Sequence, residues 1–127
     1  MFEQQLIERA SKVRKKIVLP EGQDDRILQA ASEVLAKGIA DLIILGSPAK
    51  LAERAKQLGL DISQAELMEI AGSKYMGQCV AEYVKLRSHK GVTEEIAKEK
   101  MLDASFFGTM LVQLGVADGM VSGTMNT

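Results

Sequence analysis

Apolar positions change their period several times along the chain, and each change marks an element. Phe2, Leu6, Ile7, Ala10 and Val13 recur at helical spacing, which predicts an amphipathic helix over 2–13. Ile17-Val18-Leu19 is then a short unbroken apolar run stopped by Pro20, the pattern of a strand buried on both faces. Helical spacing returns with Ile27, Leu28, Ala31, Val34 and Leu35. Asp24 or Asp25 can cap that helix, and Gly38 falls where a left-handed C-terminal residue is wanted. A second apolar run, Leu42-Ile43-Ile44-Leu45, closes at Gly46. Ser47-Pro48 then supplies a cap and a first-turn proline for a helix that runs to Leu58 before Gly59 ends it.

Two buried strands joined by one helix make a βαβ unit, which predicts the α/β class with a mainly parallel sheet. Residues 61–70 are ambiguous and allow a strand at Leu67-Met68-Glu69-Ile70. From Ser73 to Ser88 the spacing of Met76, Val80, Tyr83, Val84 and Leu86 is helical. Thr93-Glu94-Glu95-Ile96 has a capping threonine with glutamates nearby, in the manner of a capping box. A helix over Ala104 to Gln113, ended near Gly115, feeds a last strand at Gly119-Met120-Val121. No repeat, low-complexity tract or linker divides the chain.

Composition narrows the function. With 46% hydrophobic against 26% charged residues, 127 residues can bury a real core as one domain. Sixteen basic and seventeen acidic side chains leave a net charge of −1 with no long block of either sign, which removes the electrostatic case for nucleic acid or an anionic membrane. Cys79 and His89 are the single residues of their kinds, too few for a disulfide framework or a metal-ligand set. The N-terminus lacks an apolar h-region and no stretch reaches membrane-spanning length, so a cytoplasmic setting is expected.

In open parallel sheets ligands lie beyond the carboxyl ends of the strands. The loop Pro20-Glu21-Gly22-Gln23-Asp24-Asp25-Arg26 gathers acidic groups and an arginine at a helix start, where capping and the helix dipole would also favour Asp24 and Asp25, with Arg26 as their partner. Gly46-Ser47-Pro48 is helix-opening grammar. The closing Ser122-Gly123-Thr124-Met125-Asn126-Thr127 offers small residues and hydroxyls that could meet an oxyanion or phosphate, although such residues also occur in plain turns. Leu86-Arg87-Ser88-His89-Lys90-Gly91 is a compact basic knot, suited either to phosphate or to a solvated helix end. Cys79 reads as a small core residue, the methionines as core filler, and Tyr75, Tyr83, Phe106 and Phe107 as helical packing positions. Neither a Walker-A lysine pattern nor a GxGxxG after the first strand is present, so nucleoside triphosphates and dinucleotides lack support.

Four stretches, IVLPEGQDDRILQAA, LRSHKG, FFGTMLVQLG and ADGMVSGTMNT, resemble in order and spacing the N-terminal part of the phosphate acetyl/butyryltransferase family. The likeness covers essentially the whole chain. It implies a three-layer αβα domain, the first of a two-domain architecture like that of isocitrate and isopropylmalate dehydrogenases, with a cleft between the domains and a homodimer. It implies transfer of an acetyl group between CoA and phosphate, reversibly, with CoA as substrate and no metal or other cofactor. On this likeness residues 1–127 are an N-terminal piece of domain 1, expected to be essentially inactive alone. The serine, arginine and aspartate of the family's main catalytic work belong to the second domain, so no catalytic residue is assigned here.

Residue by residue, Arg87 matches the family arginine associated with CoA binding, and Ser122, Gly123 and Thr124 match the start of the cleft-lining loop. Relatives often carry alanine where Thr124 stands, which leaves its own contacts open. Pro20-Glu21 matches a signature that shapes the cleft wall. The alternatives are a phosphate butyryltransferase, a phosphotransacetylase-like regulatory domain, or a small non-catalytic α/β module that binds an anionic metabolite.

Overall fold

The computed structural model describes residues 15–122. The predicted helix over 2–13 therefore lies outside the described residues, as do Gly123 and Thr124. The elements run β1 (Lys16–Leu19), α1 (Asp25–Lys37), β2 (Asp41–Leu45), α2 (Pro48–Leu58), β3 (Glu66–Met68), α3 (Met76–Arg87), a 3₁₀ turn (Ser88–Lys90), α4 (Glu94–Lys100), α5 (Ala104–Gln113) and β4 (Gly119–Met120). The four strands form one sheet in the order β3-β2-β1-β4, and every pairing is parallel.

The unbroken apolar runs are explained by burial on both faces. Because successive side chains point to opposite sides of a strand, Ile17, Leu19, Leu42 and Ile44 face one way and Val18, Ile43 and Leu45 the other. The first set packs with Ile27, Leu28, Ala31 and Val34 of α1 and Leu51 and Ala55 of α2. The second packs with Cys79, Val80 and Tyr83 of α3, Met101, and Phe107, Met110 and Leu111 of α5. Helices thus cover both faces of the sheet, and the αβα layering expected from the sequence is present.

Local grammar sets most of the boundaries. Asp24 caps α1 through its side chain on the Arg26 amide, and Gly38 ends the helix at φ 65°. Ser47 caps α2, with Pro48 in the first turn and Gly59 closing at φ 73°. Thr93 Oγ1 accepts from the Ile96 amide at 3.3 Å. Since Ile96 fills the third helical position, no glutamate there returns the contact, and the capping box reduces to a threonine cap with two acidic residues on the dipole.

Some expectations shift. The third strand is Glu66–Met68, not Leu67–Ile70, because its register against β2 ends where Leu45 meets Met68. The helix expected from Ser73 begins at Met76, since Ser73 and Ile70 are engaged in turns that precede it. Phe106 is exposed rather than packed into the core, and it stands edge-on to Tyr83 with ring centroids 6.0 Å apart.

β4 is held to β1 at its base by two reciprocal bonds. The Asp118 amide donates to the Lys16 carbonyl at 2.8 Å, and the Lys16 amide donates to Asp118 Oδ2 at 2.8 Å. The Val121 amide continues the pairing by donating to the Val18 carbonyl at 3.0 Å, one residue past the strand's formal end.

The turn after β1 is packed without spare room. A Cβ on buried Gly22 would stand 2.6 Å from the Leu45 carbonyl oxygen and 2.8 Å from both Ile44 Cγ2 and Leu51 Cδ2. Gly22→Ala is accordingly expected to destabilise by about 1–3 kcal/mol, the usual range for overpacking. Gly77→Ala, in the first turn of α3 with nothing within 4 Å, is the unstrained control, expected to be neutral or to stabilise by up to about 1 kcal/mol. Urea unfolding of the two variants distinguishes them, and equal stability would refute the packing argument.

Candidate functional site

The strand order contains one reversal. The chain winds outward from β1 through β2 to β3, then crosses back over the sheet to place β4 on the other side of β1. The winding thus reverses between β1 and β4, and the crevice at such a reversal is where doubly wound folds bind ligands.

Two of the sequence's candidate loops meet in that crevice. Ser122 follows β4 and Glu21 follows β1, and Ser122 Oγ donates to the Glu21 carboxylate with separations of 2.9 Å to Oε1 and 2.8 Å to Oε2. The contact is partly buried and spans 101 positions of sequence. Glu21 is held from behind by a tight turn in which the Asp24 amide donates to its carbonyl at 3.0 Å. Sequence reasoning gave Glu21 a part only in shaping the wall; a partner so remote has no local signal, and only the adjacency of β1 and β4 discloses it.

The remaining acidic groups of the first loop behave as helix grammar. Arg26 donates to both Asp24 carboxylate oxygens, at 3.2 and 2.9 Å, and this bonding holds the Asp24 carboxyl below the usual carboxylate range. Asp25 takes a two-pronged contact from Arg54 at 2.9 and 2.6 Å, which lowers its pKa as well and links α1 to α2. Arg26 and the Arg54–Asp25 pair are open to solvent and Asp24 is half-buried, so these pairs position the loop more than they stabilise the fold.

Beside this loop a cavity of about 370 Å³ is lined by Gly22, Gln23, Gly46, Ser47, Lys50, Leu51 and Arg54. It opens at the carboxyl ends of β1 and β2 and adjoins the start of α2, with Lys50 on its lining and the charge of Arg54 offset by Asp25. A different hollow, about 570 Å³, lies between α3 and α4 and is lined chiefly by Met76, Val80, Val84 and Leu102. It is built from helix faces rather than strand ends and carries only Glu94 and Lys98 as charged lining.

Arg87 occupies the last position of α3, and with His89 and Lys90 of the following 3₁₀ turn it is exposed. Among the described residues no hydrogen bond or ion pair engages its guanidinium, and none joins it to Ser122 or Glu21. That arrangement fits a cation held ready for a phosphate and equally a helix end favoured by the macrodipole. Of the four sequence-predicted binding residues, Ser122 is thus brought into the crevice and Arg87 is placed on an exposed turn. Gly123 and Thr124 fall outside the described residues.

Cys79 carries no site. Its side chain is fully buried under the sheet, and burial pushes the thiol up to about 11. Among the described residues no group of three or more His, Cys, Asp or Glu side chains could hold a metal ion, and no helix is long and apolar enough to cross a membrane.

These features define an α/β domain of the doubly wound class, with a polar crevice at its reversal point and cationic groups nearby. The chain belongs to the phosphate acetyl/butaryl transferase family, which matches residues 1–127. It is 46% identical over all 127 residues to the phosphate acetyltransferase of Corynebacterium glutamicum, of which it spans 39%. It is 45% identical over 123 residues to the phosphate acetyltransferase of Thermoanaerobacterium thermosaccharolyticum, spanning 37% of that protein. Among solved structures, the EutD phosphotransacetylase from Staphylococcus aureus superposes with a TM-score of 0.83 at 40% identity, covering 99% of this chain and 38% of that one. A phosphotransacetylase from Streptococcus pyogenes gives 0.85 at 31% identity, covering 98% and 37%.

The buried thiol makes a pH-dependent prediction. A raised folded-state pKa means that the thiol's contribution is complete below its ordinary value of 9.0 and is lost as pH climbs through about 11. Unfolding free energy should fall across that window by more in the native chain than in Cys79→Ala. A thiol reagent at pH 8 should label Cys79 no faster than the chain opens, and rapid stoichiometric labelling of the folded chain would contradict the burial.

Proposed function

We propose that this chain forms one wall of the active-site cleft in an acyltransferase that moves an acetyl group between CoA and phosphate. The observation that carries the reading is the family match over all 127 residues, and the crevice between β1 and β4 supports it by bringing together Glu21 and Ser122, from two of the stretches that carry the family resemblance. Attack of phosphate on acetyl-CoA, or of the CoA thiolate on acetyl phosphate, needs a base for the thiol, cations for phosphate, and donors for the carbonyl oxygen as it becomes anionic. Here Arg87 supplies a cation toward a CoA phosphate, and the segment Ser122, Gly123, Thr124 lines the cleft. The principal acid-base and phosphate-clamping groups are assigned to a second domain, in an enzyme that works as a cytoplasmic homodimer without a metal.

Phosphate-dependent release of CoA from acetyl-CoA by the natural gene product carrying these residues tests the reading, with butyryl-CoA measured beside it to fix acyl preference. The 127-residue chain alone should show no measurable turnover. In the active protein, Arg87→Ala should raise the KM for CoA about tenfold, as loss of a charged hydrogen bond would. Arg87→Lys should recover only part of that loss, because an ammonium cannot reproduce the two-pronged contact of a guanidinium. An unchanged KM in Arg87→Ala would return Arg87 to the status of a helix-end charge.

A further inference from the structure

The contact between Ser122 and Glu21 has a direction. A serine hydroxyl carries one proton, and the two carboxylate oxygens lie 2.9 and 2.8 Å from Ser122 Oγ. That proton is therefore committed to Glu21, and Oγ keeps only lone pairs for whatever enters the crevice.

Both ends of the contact are mounted on rigid parts. Glu21 sits between the buried end of β1 and the tightly packed Gly22, with its carbonyl bonded to the Asp24 amide at 3.0 Å. Ser122 follows Val121, which is buried and bonded to the Val18 carbonyl at 3.0 Å. Inorganic phosphate near neutral pH brings negative charge and mostly acceptor oxygens, so an accepting hydroxyl backed by a carboxylate repels it. The arm of an acyl-CoA, whose sulfur is held in the thioester, still brings amide N–H groups and a hydroxyl that can donate to such an oxygen.

We propose that Glu21 is a positioning residue that takes the Ser122 proton, fixes the Ser122 side chain at the end of β4, and presents its accepting oxygen to the acyl-CoA arm, while phosphate is held by donors elsewhere. The inference rests on the acetyl-transfer reading above and adds to it which substrate this crevice takes.

The test uses the natural gene product, with acetyl-CoA and phosphate varied independently for wild type, Glu21→Ala, Glu21→Gln, Ser122→Ala and the double variant Glu21→Ala/Ser122→Ala. Loss of one directional contact should raise the KM for acetyl-CoA about tenfold in each single alanine variant, with the KM for phosphate staying within about twofold. The double variant should be no worse than the poorer single, because both remove the same interaction. Glu21→Gln, which keeps an acceptor oxygen at the same reach, should recover about threefold over Glu21→Ala. Independent, multiplying effects of the two alanine substitutions would overturn the proposal, as would a Ser122→Ala variant whose loss lies in the phosphate KM alone. Should Glu21→Ala fail to fold, Glu21→Gln and Ser122→Ala decide through the same KM split. A wild type that transfers no acetyl group would remove the acetyl-transfer reading itself, and this inference with it, whereas an active wild type with uncoupled variants would remove the inference alone.

Discussion

Everything at the crevice depends on β4 lying beside β1. The strand has only two formally paired residues, Gly119 and Met120, and so short a ladder is weak on its own. It is reinforced from outside the ladder by Asp118 at one end and the Glu21–Ser122 contact at the other. Behind it, α5 approaches closely at Gly108, where a Cβ would stand 2.7 Å from Met120 Sδ and 3.3 Å from Val18 Cγ1. A side chain there would displace the Met120 thioether and crowd Val18, so the glycine lets the helix lie close against the short strand. The reversal that creates the crevice is therefore held by side-chain contacts at both ends of the strand as well as by its main-chain hydrogen bonds to β1.

The electrostatics of the strand ends divide by function. Asp24 and Asp25 are neutralised by Arg26 and Arg54, so the first loop offers little net field despite its acidic sequence. Glu21 differs from both aspartates in reaching across the crevice to another strand's loop. Arg87, His89 and Lys90 stay in solvent on a turn with no ion pair among the described residues, where a phosphate-bearing ligand would meet them without first displacing a carboxylate. The acidic and basic candidates of the sequence thus sort into groups already satisfied and groups still available.

Much of this was legible because it is local. The runs Ile17-Val18-Leu19 and Leu42-Ile43-Ile44-Leu45 announce strands covered on both sides, and Ser47-Pro48, Gly38 and Gly59 mark helix ends through backbone conformations that neighbours alone determine. The third strand was misplaced by one to two residues because its limits come from register against β2, which no local pattern encodes. Phe106 and Phe107 both follow helical packing spacing, yet only Phe107 takes the inward position, while Phe106 packs edge-on against Tyr83 and stays partly in solvent. The cleft residues were reached through family likeness, since Ser-Gly-Thr and a lone arginine are individually common. The pairing of Ser122 with Glu21 was beyond either route, because it exists only once strand order is known.

The two ends of β4 differ in what they ask of evolution. At the base, Asp118 is bonded by the main-chain N–H of residue 16, not by the lysine side chain. Any amino acid except proline can supply that group, so position 16 is free to drift while Asp118 is not. At the top, both halves of the contact are side chains, so a change in either Glu21 or Ser122 removes it. One clamp depends on a single side chain and the other on a pair, so the crevice end of the strand can be undone from either of two positions.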